Sequence, residues 1–539
     1  MQAVRIAALL VSTALASGCQ ASSSSAGNSW TKHGTLRIGV VRDIDNINPM
    51  LSGQSAANDV AQMVFSGLLD WDAEGNQIPD VALAVPTRQN GGISADGRTI
   101  TYHLRHGVRF TDGQPLTAAD AVYTWHAMLD PKHNVAYRFP YDSAVSVNAP
   151  DPYTIVVRLR SPSAPFISYF LAQNGRGAIL PKHLLEHSAD FNRDPYNRRP
   201  IGSGPFTVKS WQPGVKLELA ANPGYWRGKP KLDRIDLLVI PHENSLLSEL
   251  QSHDIDLYYD VSKTHYAQVR ALAGTRVSSR TSANFEHIDF NCARPPFDDV
   301  RVRRAVAYAI DWKSLAAKVY RGIGADGMTD ITPGSWADAH VAGYPRDLVR
   351  ARSLLAQAGW RPGTGGGLTR NGVPLAIDIS TVAGVDARQN AEVLIQQNLR
   401  EIGIAVQVRN YPASLLFSAA SAGGILNGGK FGLALSAWDK GPEVDDSNTI
   451  GPDKTPPNGG NSTFYRDPQI GSWLQHATST YDRAQRRPWY AKVQQRVHDT
   501  VPRYTIIWPS TIIAYNGDLK GLRPANAGSD YWNSWEWSI

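Results

Sequence analysis

Hydrophobic and polar residues alternate over several short segments in the first half of the chain, a period of two that is typical of β-strands. The clearest segments are residues 35–41 (TLRIGVV) and 153–159 (YTIVVRL). Further strands are predicted at residues 99–104, 108–110, 202–211, 216–220 and 235–240, and near the end of the chain at residues 504–508. The first half is therefore expected to contain many strands that each bury one face.

A helical period is common in the second half. Every third or fourth position is apolar at Val302, Ala305, Val306, Ala309 and Ile310. Helices are also predicted at residues 345–358 and 481–499, and, in the first half, at 117–129, where Thr117 and Asp120 form a helix start signal. Between residues 375 and 411 a strand, a helix and a strand follow one another, which predicts a parallel strand pair. The chain is therefore assigned to the α/β class.

The amino terminus has the pattern of a targeting segment. Arg5 precedes a short apolar stretch, residues 6–15, and small residues then lead to Cys19. The segment ending in cysteine resembles a bacterial lipobox, which implies that residues 1–18 are a signal peptide and that Cys19 carries lipid. Residues 19–29 would be a flexible polar tether. The alternative is a secreted protein with ordinary cleavage.

Composition narrows the class of protein. The 539 residues are enough for three or four domains, and 42% of them are hydrophobic, as in globular proteins. The formal charge is +6, but the basic residues are dispersed and form no tract interleaved with aromatics. A nucleic-acid partner is therefore not expected. With Cys19 in the targeting segment, Cys292 has no partner for an internal disulfide.

No catalytic or metal-binding motif is present in the sequence. His242-Glu243 lacks the second histidine of a zinc-protease helix, and Gly202-Ser203-Gly204 is too short for a nucleophile elbow. The chain also lacks the glycine-rich lysine loop that binds nucleotide phosphates. We therefore expect a protein that is not an enzyme and that has no cofactor and no resident metal.

Residues 96–122 (DGRTITYHLRHGVRFTDGQPLTAADAV) closely resemble the signature of the peptide/nickel-type family of ABC solute-binding proteins. Further segments match the family in the same order and extend over essentially the whole mature chain: residues 201–206 (IGSGPF), 222–235 (NPGYWRGKPKLDRI), 295–311 (PPFDDVRVRRAVAYAID) and 354–360 (LLAQAGW).

The resemblance implies a two-lobed periplasmic-binding-protein fold of type II, the large peptide-binding class, with an extra domain inserted in the first lobe. Mapped by order, lobe I takes residues 30–72, 199–284 and 506–539. The extra domain takes residues 73–198 and lobe II residues 285–505. Hinges are expected near residues 284–291 and 501–508.

The implied function is that of the extracytoplasmic solute-binding subunit of an ABC importer. Such a subunit captures di- or oligopeptides between its lobes and delivers them to a membrane permease with an ATPase. The chain would be a monomer held at the membrane by its lipid anchor. Two alternatives stay open: a non-peptide solute, such as a metal chelate, haem or an oligosaccharide, and a chaperone-like lipoprotein that binds unfolded chains without lobe closure.

The family also implies a ligand site in a strand and loop that follow a Gly-Trp pair. In this sequence the pair is Ala437-Trp438, and Gly441 stands where family members carry the aspartate that binds the peptide ammonium. Asp439, Asp445 or Asp446 could supply that carboxylate instead. Secondary candidates for ligand binding are Asn48, Asn291 and Asn461.

Overall fold

The computed structural model describes residues 27–136, 138–173, 177–363, 366–526 and 528–539. The predicted signal peptide and Cys19 lie outside these residues, as does most of the predicted tether. The end of the tether contacts the folded protein, because the Asn28 backbone N–H donates to Asp518 at 2.6 Å and its amide donates to Asn516 at 2.7 Å. The ordered fold therefore includes Asn28.

The described strands, in chain order, are β1 (Thr35–Val40), β2 (Leu69–Trp71), β3 (Gln77–Pro79), β4 (Thr99–His103), β5 (Ala144–Asp151), β6 (Thr154–Leu159), β7 (Phe206–Gln212), β8 (Lys216–Ala221), β9 (Arg234–Val239), β10 (Leu257–Tyr258), β11 (Thr275–Thr281), β12 (Asn284–Phe290), β13 (Gly324–Asp326), β14 (Arg361–Pro362), β15 (Leu368–Arg370), β16 (Val373–Pro374), β17 (Ala376–Ser380), β18 (Ala405–Val408), β19 (Leu433–Asp439) and β20 (Arg503–Asn516).

The described α-helices are α1 (Ser55–Val64), α2 (Ala118–Leu129), α3 (Ala164–Tyr169), α4 (Lys182–Leu185), α5 (Glu243–Gln251), α6 (Tyr266–Ala271), α7 (Val300–Ala309), α8 (Trp312–Val319), α9 (Leu348–Gln357), α10 (Asp386–Arg400), α11 (Ala413–Leu416), α12 (Ser447–Ile450), α13 (Pro468–Ser479) and α14 (Arg483–Thr500). Within the described ranges, none of these helices is both long and apolar enough to cross a bilayer.

Helix starts follow the local sequence. At α2 the Thr117 backbone N–H and hydroxyl donate to Asp120 at 2.8 Å and 3.0 Å, as the start signal predicted. At α7 the Asp299 carboxylate accepts the Arg301 backbone N–H at 2.9 Å. Strands β17 and β18 pair in parallel on either side of α10, which confirms the predicted parallel pair.

Strand β20 joins two halves of a large twelve-stranded sheet. Its first part, Arg503 to Ile507, pairs antiparallel with β12, and its last part, Ser510 to Asn516, pairs with β11. Strands β11 and β12 are consecutive in the chain, so two neighbouring segments pass from one half to the other. Strands β10, β1, β9, β8 and β7 lie in one half, and β19, β17 and β18 in the other. The segments predicted as hinges overlap β12 and β20.

Each half of the sheet has its own hydrophobic core. Leu36, Phe206 and Ile235 are fully buried in one cluster, and Ile288 and Leu433 are fully buried in another. Between β3 and β7 the chain adds a three-stranded antiparallel sheet in the order β4, β6, β5, whose buried residues belong to the first cluster. Separate cores allow the two halves to keep their packing while the crossing strands bend.

The strand predicted at residues 108–110 is wrong, because only an isolated bridge between Arg109 and Pro115 is present there, and two other strands differ clearly from the prediction in length. Strand β7 begins at Phe206 and not at residue 202. The segment before it packs against the end of α1, where the Gly204 N–H donates to the Val64 carbonyl at 2.9 Å and a β-carbon on Gly202 would overlap the same oxygen. Strand β20 extends to Asn516, whereas the prediction ended at residue 508. A proline usually ends a strand because it has no N–H to donate. Pro509 nevertheless stays in β20, since it pairs with Gly324 of β13 and its carbonyl accepts the Ser282 N–H at 2.9 Å.

Candidate functional site

A cavity of about 810 Å³ lies against the crossing strands and between the two halves of the sheet. The crossing strands and their link contribute Ser282, Asn284 and Ser510 to its wall. The first half contributes the end of β1 and the start of α1, and the second half contributes residues of β12, α10 and the end of β19. The cavity is of the size that binds small-molecule and cofactor-sized ligands.

Two of the predicted site residues, Ala437 and Asp439 of β19, line this cavity. Strand β19 pairs with β12 in the register Ala437 to Glu286 and Asn284 to Asp439. Asp439 is exposed, and its Oδ1 accepts the backbone N–H of Gly441 at 3.1 Å. Trp438 lies between them on the opposite face of the strand and is not in the cavity wall.

Asp445 and Asp446 are placed differently from Asp439, because both have partners within the protein and neither lines the cavity. Asp445 accepts the Ser447 N–H at 3.0 Å and the Ser447 hydroxyl at 2.6 Å. Burial raises the pKa of Asp445, against the effect of these hydrogen bonds. Asp446 is buried and forms an ion pair with Lys440. The structure therefore brings one of the three aspartates to the cavity.

The three candidate asparagines are buried and bonded inside the fold. The Asn48 amide donates to Asn197 at 2.9 Å, and the Asn291 amide donates to the carbonyls of residues 429 and 431 at 3.0 Å. The Asn461 amide donates to the carbonyls of residues 451 and 465 at 2.9 Å. None of the three lines the cavity, and their assignment to ligand binding stays a prediction.

Asp59 of α1 lies in the opposite wall of the cavity. Its carboxylate was not among the site residues predicted from the sequence. Asp59 accepts the Ser529 hydroxyl at 2.6 Å. Burial raises the pKa of Asp59 to about 7; the Ser529 hydrogen bond opposes this shift, while the charges of Asp530 and Asp439 add to it. Asp59 and Asp439 thus influence each other electrostatically from opposite halves of the sheet. In the sequence, Asp59 looked like an ordinary polar position of an amphipathic helix.

Next to Asp59 the carboxylate of Asp530 is already neutralised. Arg280 donates to Asp530 Oδ1 at 2.8 Å, and the Tyr259 hydroxyl donates to Asp530 Oδ2 at 2.9 Å. On the other half, Arg388 of α10 donates to both carboxylate oxygens of Glu286, at 2.8 Å and 3.0 Å. These two arginines in the cavity wall are therefore already paired with carboxylates of the protein itself.

The cavity wall has more acidic than basic side chains. Six carboxylates and four basic groups line it, a formal excess of two negative charges, although the whole chain carries +6. The acids are Asp43, Asp59, Glu243, Asp260, Glu286 and Asp439. The bases are Arg42, Lys263, Arg280 and Arg388. The arrangement favours a ligand that brings a positive group to the side where Asp59 and Asp439 lie.

Two sides of the molecule also touch outside the cavity wall. One side is the chain before β11, and the other is the chain between β12 and β20. The Ser168 hydroxyl of α3 donates to Glu443 at 2.6 Å. The Tyr481 hydroxyl donates to the Gly97 carbonyl at 2.7 Å and accepts the Ser163 N–H at 3.2 Å. The two sides are therefore in contact outside the wall of the cavity as well. Within the described part of the chain, no group of three or more His, Cys, Asp or Glu side chains could hold a metal ion.

Comparison with known sequences gives matches over most of the chain. The family model described as bacterial extracellular solute-binding proteins, family 5 Middle, matches residues 77–460. The oligopeptide-binding protein AppA of Bacillus subtilis is 28% identical over 518 residues, covering 94% of the chain and 92% of AppA. Heme-binding protein A of Haemophilus influenzae is 27% identical over 500 residues, covering 88% of the chain and 86% of that protein.

Solved structures match over nearly the whole fold. NikZ from Campylobacter jejuni in complex with Ni(L-His) has 25% sequence identity and a TM-score of 0.78, covering 94% of the chain and 100% of NikZ. AppA from Bacillus subtilis in complex with a nonapeptide has 26% identity and a TM-score of 0.76, covering 93% of the chain and 98% of AppA. The similar proteins therefore share one architecture and carry different solutes in their names.

Proposed function

Because the chain belongs to the bacterial extracellular solute-binding proteins of family 5, we propose that it captures peptides in the cavity between the two halves of its sheet. Family membership makes the chain the extracytoplasmic solute-binding subunit of an ABC importer and not an enzyme. It also confirms the predicted resemblance and the two-lobed type II α/β fold. The solute class is the part that we propose.

The observation that carries the proposal is that Asp59 and Asp439 line opposite walls of one cavity, whose lining has an excess of negative charge. Each comes from a different half of the sheet. A peptide ammonium between them would relieve the repulsion of the two carboxylates and gain charge-assisted hydrogen bonds, each worth about 1.5–3 kcal/mol. The relative named as an oligopeptide-binding protein supports the same solute class.

Strand β19 offers the backbone for sequence-tolerant binding. Strand β17 pairs with β19 only through Leu433 and Ala434, so from Ser436 to Asp439 one edge of β19 is unpaired among the described strands. An extended peptide that adds to this edge would use main-chain hydrogen bonds and leave its side chains to the cavity. We assign Ala437, Trp438 and Asp439 to this role, and Asp439 to the ammonium.

Closure of the lobes supplies the signal for transport. A solute that touches both halves stabilises the closed arrangement only by the contacts it makes there and not in the open one. We place lobe I at residues 30–72, 199–284 and 506–539, the extra domain at 73–198 and lobe II at 285–505. The link between β11 and β12 and the middle of β20 would bend between them. The closed monomer would then dock on the permease.

The anchor of the chain belongs to the same proposal. Cleavage after residue 18 and lipidation of Cys19 would leave residues 20–27 as the tether between the membrane and the fold. Two acyl chains give stable membrane attachment, whereas one gives only reversible binding. Metabolic labelling with a radioactive fatty acid tests this point, since Cys19→Ser would remove the label.

Haem and nickel chelates are the alternative solutes, because similar proteins are named for haem binding or contain Ni(L-His). The charge of the cavity argues against haem, whose two propionates would meet an excess of carboxylates. Nickel binds well to imidazole, and none of the described wall residues is histidine. Peptide is therefore the solute class that the cavity favours.

Isothermal titration calorimetry tests the solute class. The protein is first unfolded, dialysed to remove any bound solute and refolded. The titrants are pools of peptides of two to nine residues, haem, and nickel with L-histidine. Saturable heat from at least one peptide pool supports the proposal. Heat from haem or the nickel chelate alone would refute it.

A further inference from the structure

A second cavity, of about 280 Å³, lies at the contact between the two sides of the molecule and shares no wall residue with the first. Val85 and Ile167 line it from the side of the extra domain, and Trp336 and Arg483 line it from the other side. The Ser168 to Glu443 hydrogen bond crosses its wall. The cavity therefore exists only when the two sides meet.

The charges in this wall have the opposite balance from those of the first cavity. Three arginines, Arg88, Arg483 and Arg486, face two acids. Both acids already have partners: Glu443 accepts Arg486 at 2.7 Å, and Asp482 accepts the Gln485 N–H at the start of α14. Among the residues that the structure describes, no carboxylate forms an ion pair with Arg483 or Arg88.

Of the three arginines, Arg483 is the one whose positive charge is least compensated by partners in the protein. Within the described residues it forms no ion pair, and its hydrogen bonds to Asn76 Oδ1 and to the Gly75 carbonyl are long, at 3.3 Å and 3.4 Å. Burial lowers the pKa of Arg483, with the charge of Glu443 acting against the shift. A half-buried guanidinium in this state gains from any ligand that brings acceptor oxygens.

Two further wall residues carry donors without an acceptor. The indole N–H of Trp71 and the amide nitrogen of Gln77 are buried and have no hydrogen-bond partner in the described part of the chain. Trp336 stacks against the guanidinium of Arg486, at 5.1 Å from the ring centre, and lies 5.6 Å from that of Arg483. The unsatisfied groups around this cavity are donors and cations.

We propose that this second cavity is a binding site for a small oxyanion, a carboxylate or a phosphate group, held by the planar fork of Arg483. Its walls come from both sides, so a bound anion stabilises the closed arrangement. By reciprocity the anion raises the affinity of the first cavity for its solute, by about fivefold or more for couplings of the usual size. The site does not depend on which solute the first cavity takes.

Nuclear magnetic resonance tests the proposal through the indole N–H signals of the nitrogen-15-labelled protein. The signals of Trp336 and Trp71 are assigned by Trp→Phe replacements, and the protein is titrated as purified. Inorganic phosphate and acetate are added separately, with sodium chloride at equal ionic strength as the reference. We expect a saturable shift of the Trp336 signal with phosphate, acetate or both, and the anion that acts identifies the source.

Matched variants decide whether the shift reports this site. Arg483→Gln should abolish it, whereas Arg487→Gln removes the same charge from an exposed neighbour outside the wall and should leave it intact. If Arg483→Gln does not fold, Arg88→Gln at the exposed rim takes its place and should weaken binding. The proposal is overturned if neither anion gives a saturable shift, or if the shift survives in the arginine variants of the wall.

Discussion

Asp289 of β12 and Arg503 of β20 are direct partners in the antiparallel ladder, and their side chains form a buried ion pair with contacts of 2.6 Å and 3.1 Å. The Ser462 hydroxyl donates to Asp289 at 2.5 Å, and Asp330 lies 3.6 Å from the other end of Arg503. Burial acts to raise the pKa of Asp289, but the charge and hydrogen bonds of Arg503 outweigh it and the pKa is lowered. The pair fixes the crossing strands to each other in the half of the sheet that contains β19, β17 and β18.

Removing one partner of this pair should destabilise the fold strongly. Arg503→Met leaves the Asp289 carboxylate buried without its counter-ion, and the expected loss is about 3–5 kcal/mol in the free energy of unfolding. Urea unfolding followed by tryptophan fluorescence measures it. Lys229→Met is the control, because its ion pair with Asp233 is exposed and worth about 0–1 kcal/mol. Equal losses in the two variants would contradict the role given to Arg503.

The buried histidine beside this pair predicts a loss of stability in mild acid. Burial lowers the pKa of His287 to about 3, with the charge of Asp289 opposing the shift. The unfolded chain binds a proton at His287 near pH 6.5 and the folded chain does not, so the contribution of His287 to stability falls as the pH drops below about 6.5. The raised pKa of Asp59 acts in the opposite direction over the same range, so the effect of His287 is read by comparison with a variant that lacks it. The expected loss from this residue is about 2 kcal/mol between pH 7 and pH 5.

Urea midpoints at pH 7, 6 and 5 measure this dependence. His287→Gln removes the titrating group, so between pH 7 and pH 5 its free energy of unfolding should change by about 2 kcal/mol in the stabilising direction relative to the unchanged protein, even though the variant is less stable at pH 7. His187→Gln is the matched control, because the His187 side chain is 89% exposed. A His287→Gln profile as steep as that of the unchanged protein would exclude this explanation.

The raised pKa of Asp59 predicts how solute affinity depends on pH. If the ionised carboxylate binds the peptide ammonium, protons compete with the peptide below about pH 7. The association constant should then rise about fivefold from pH 6 to pH 7 and level off toward pH 8, where the peptide's own ammonium begins to lose its proton. Asp59→Asn should lose this dependence and bind more weakly at pH 8, by about 1.5–3 kcal/mol.

Calorimetry at three pH values measures these constants with a peptide taken from a pool that binds. The control is Asp453→Asn, a carboxylate that is 77% exposed and outside the cavity wall. A pH profile that is unchanged in Asp59→Asn would show that this carboxylate does not contact the ammonium.

Replacing Asp439 should affect peptide binding, whereas replacing Asp446 should affect the stability of the fold. Asp439 is exposed in the cavity wall, so Asp439→Asn should weaken peptide binding by about 1.5–3 kcal/mol and leave the urea midpoint almost unchanged. Asp446 is buried against Lys440, so Asp446→Asn should lower the midpoint. If Asp439→Asn binds peptide as well as the unchanged protein, the carboxylate assignment is wrong.

Local signals predicted much of the fold because they depend on neighbours in the sequence. The Thr117 start signal and the strand, helix and strand between residues 375 and 411 are examples, and both are present in the structure. The length of β20 could not be predicted, since Pro509 is kept in the strand by pairing with β13, more than 180 residues earlier in the chain. The family resemblance supplied the arrangement of the lobes, which periodicity alone does not contain.

The site was less predictable for the same reason. Asp439, Asp445 and Asp446 are close in sequence and equally acidic, and only the fold shows that Lys440 neutralises Asp446. Asp59 lies 380 residues from Asp439, and no local pattern relates them. A carboxylate on the polar face of a helix next to the first strand was the one available hint.

Mass spectrometry of the solute released by denaturing the purified chain tests the central claim most directly. We expect peptides with unblocked amino ends, which should be enriched over a mock purification and scarcer when the Asp59→Asn variant is purified from the same extract. Release of haem, a nickel chelate or an oligosaccharide, or of peptides whose amino ends are all blocked, would contradict it.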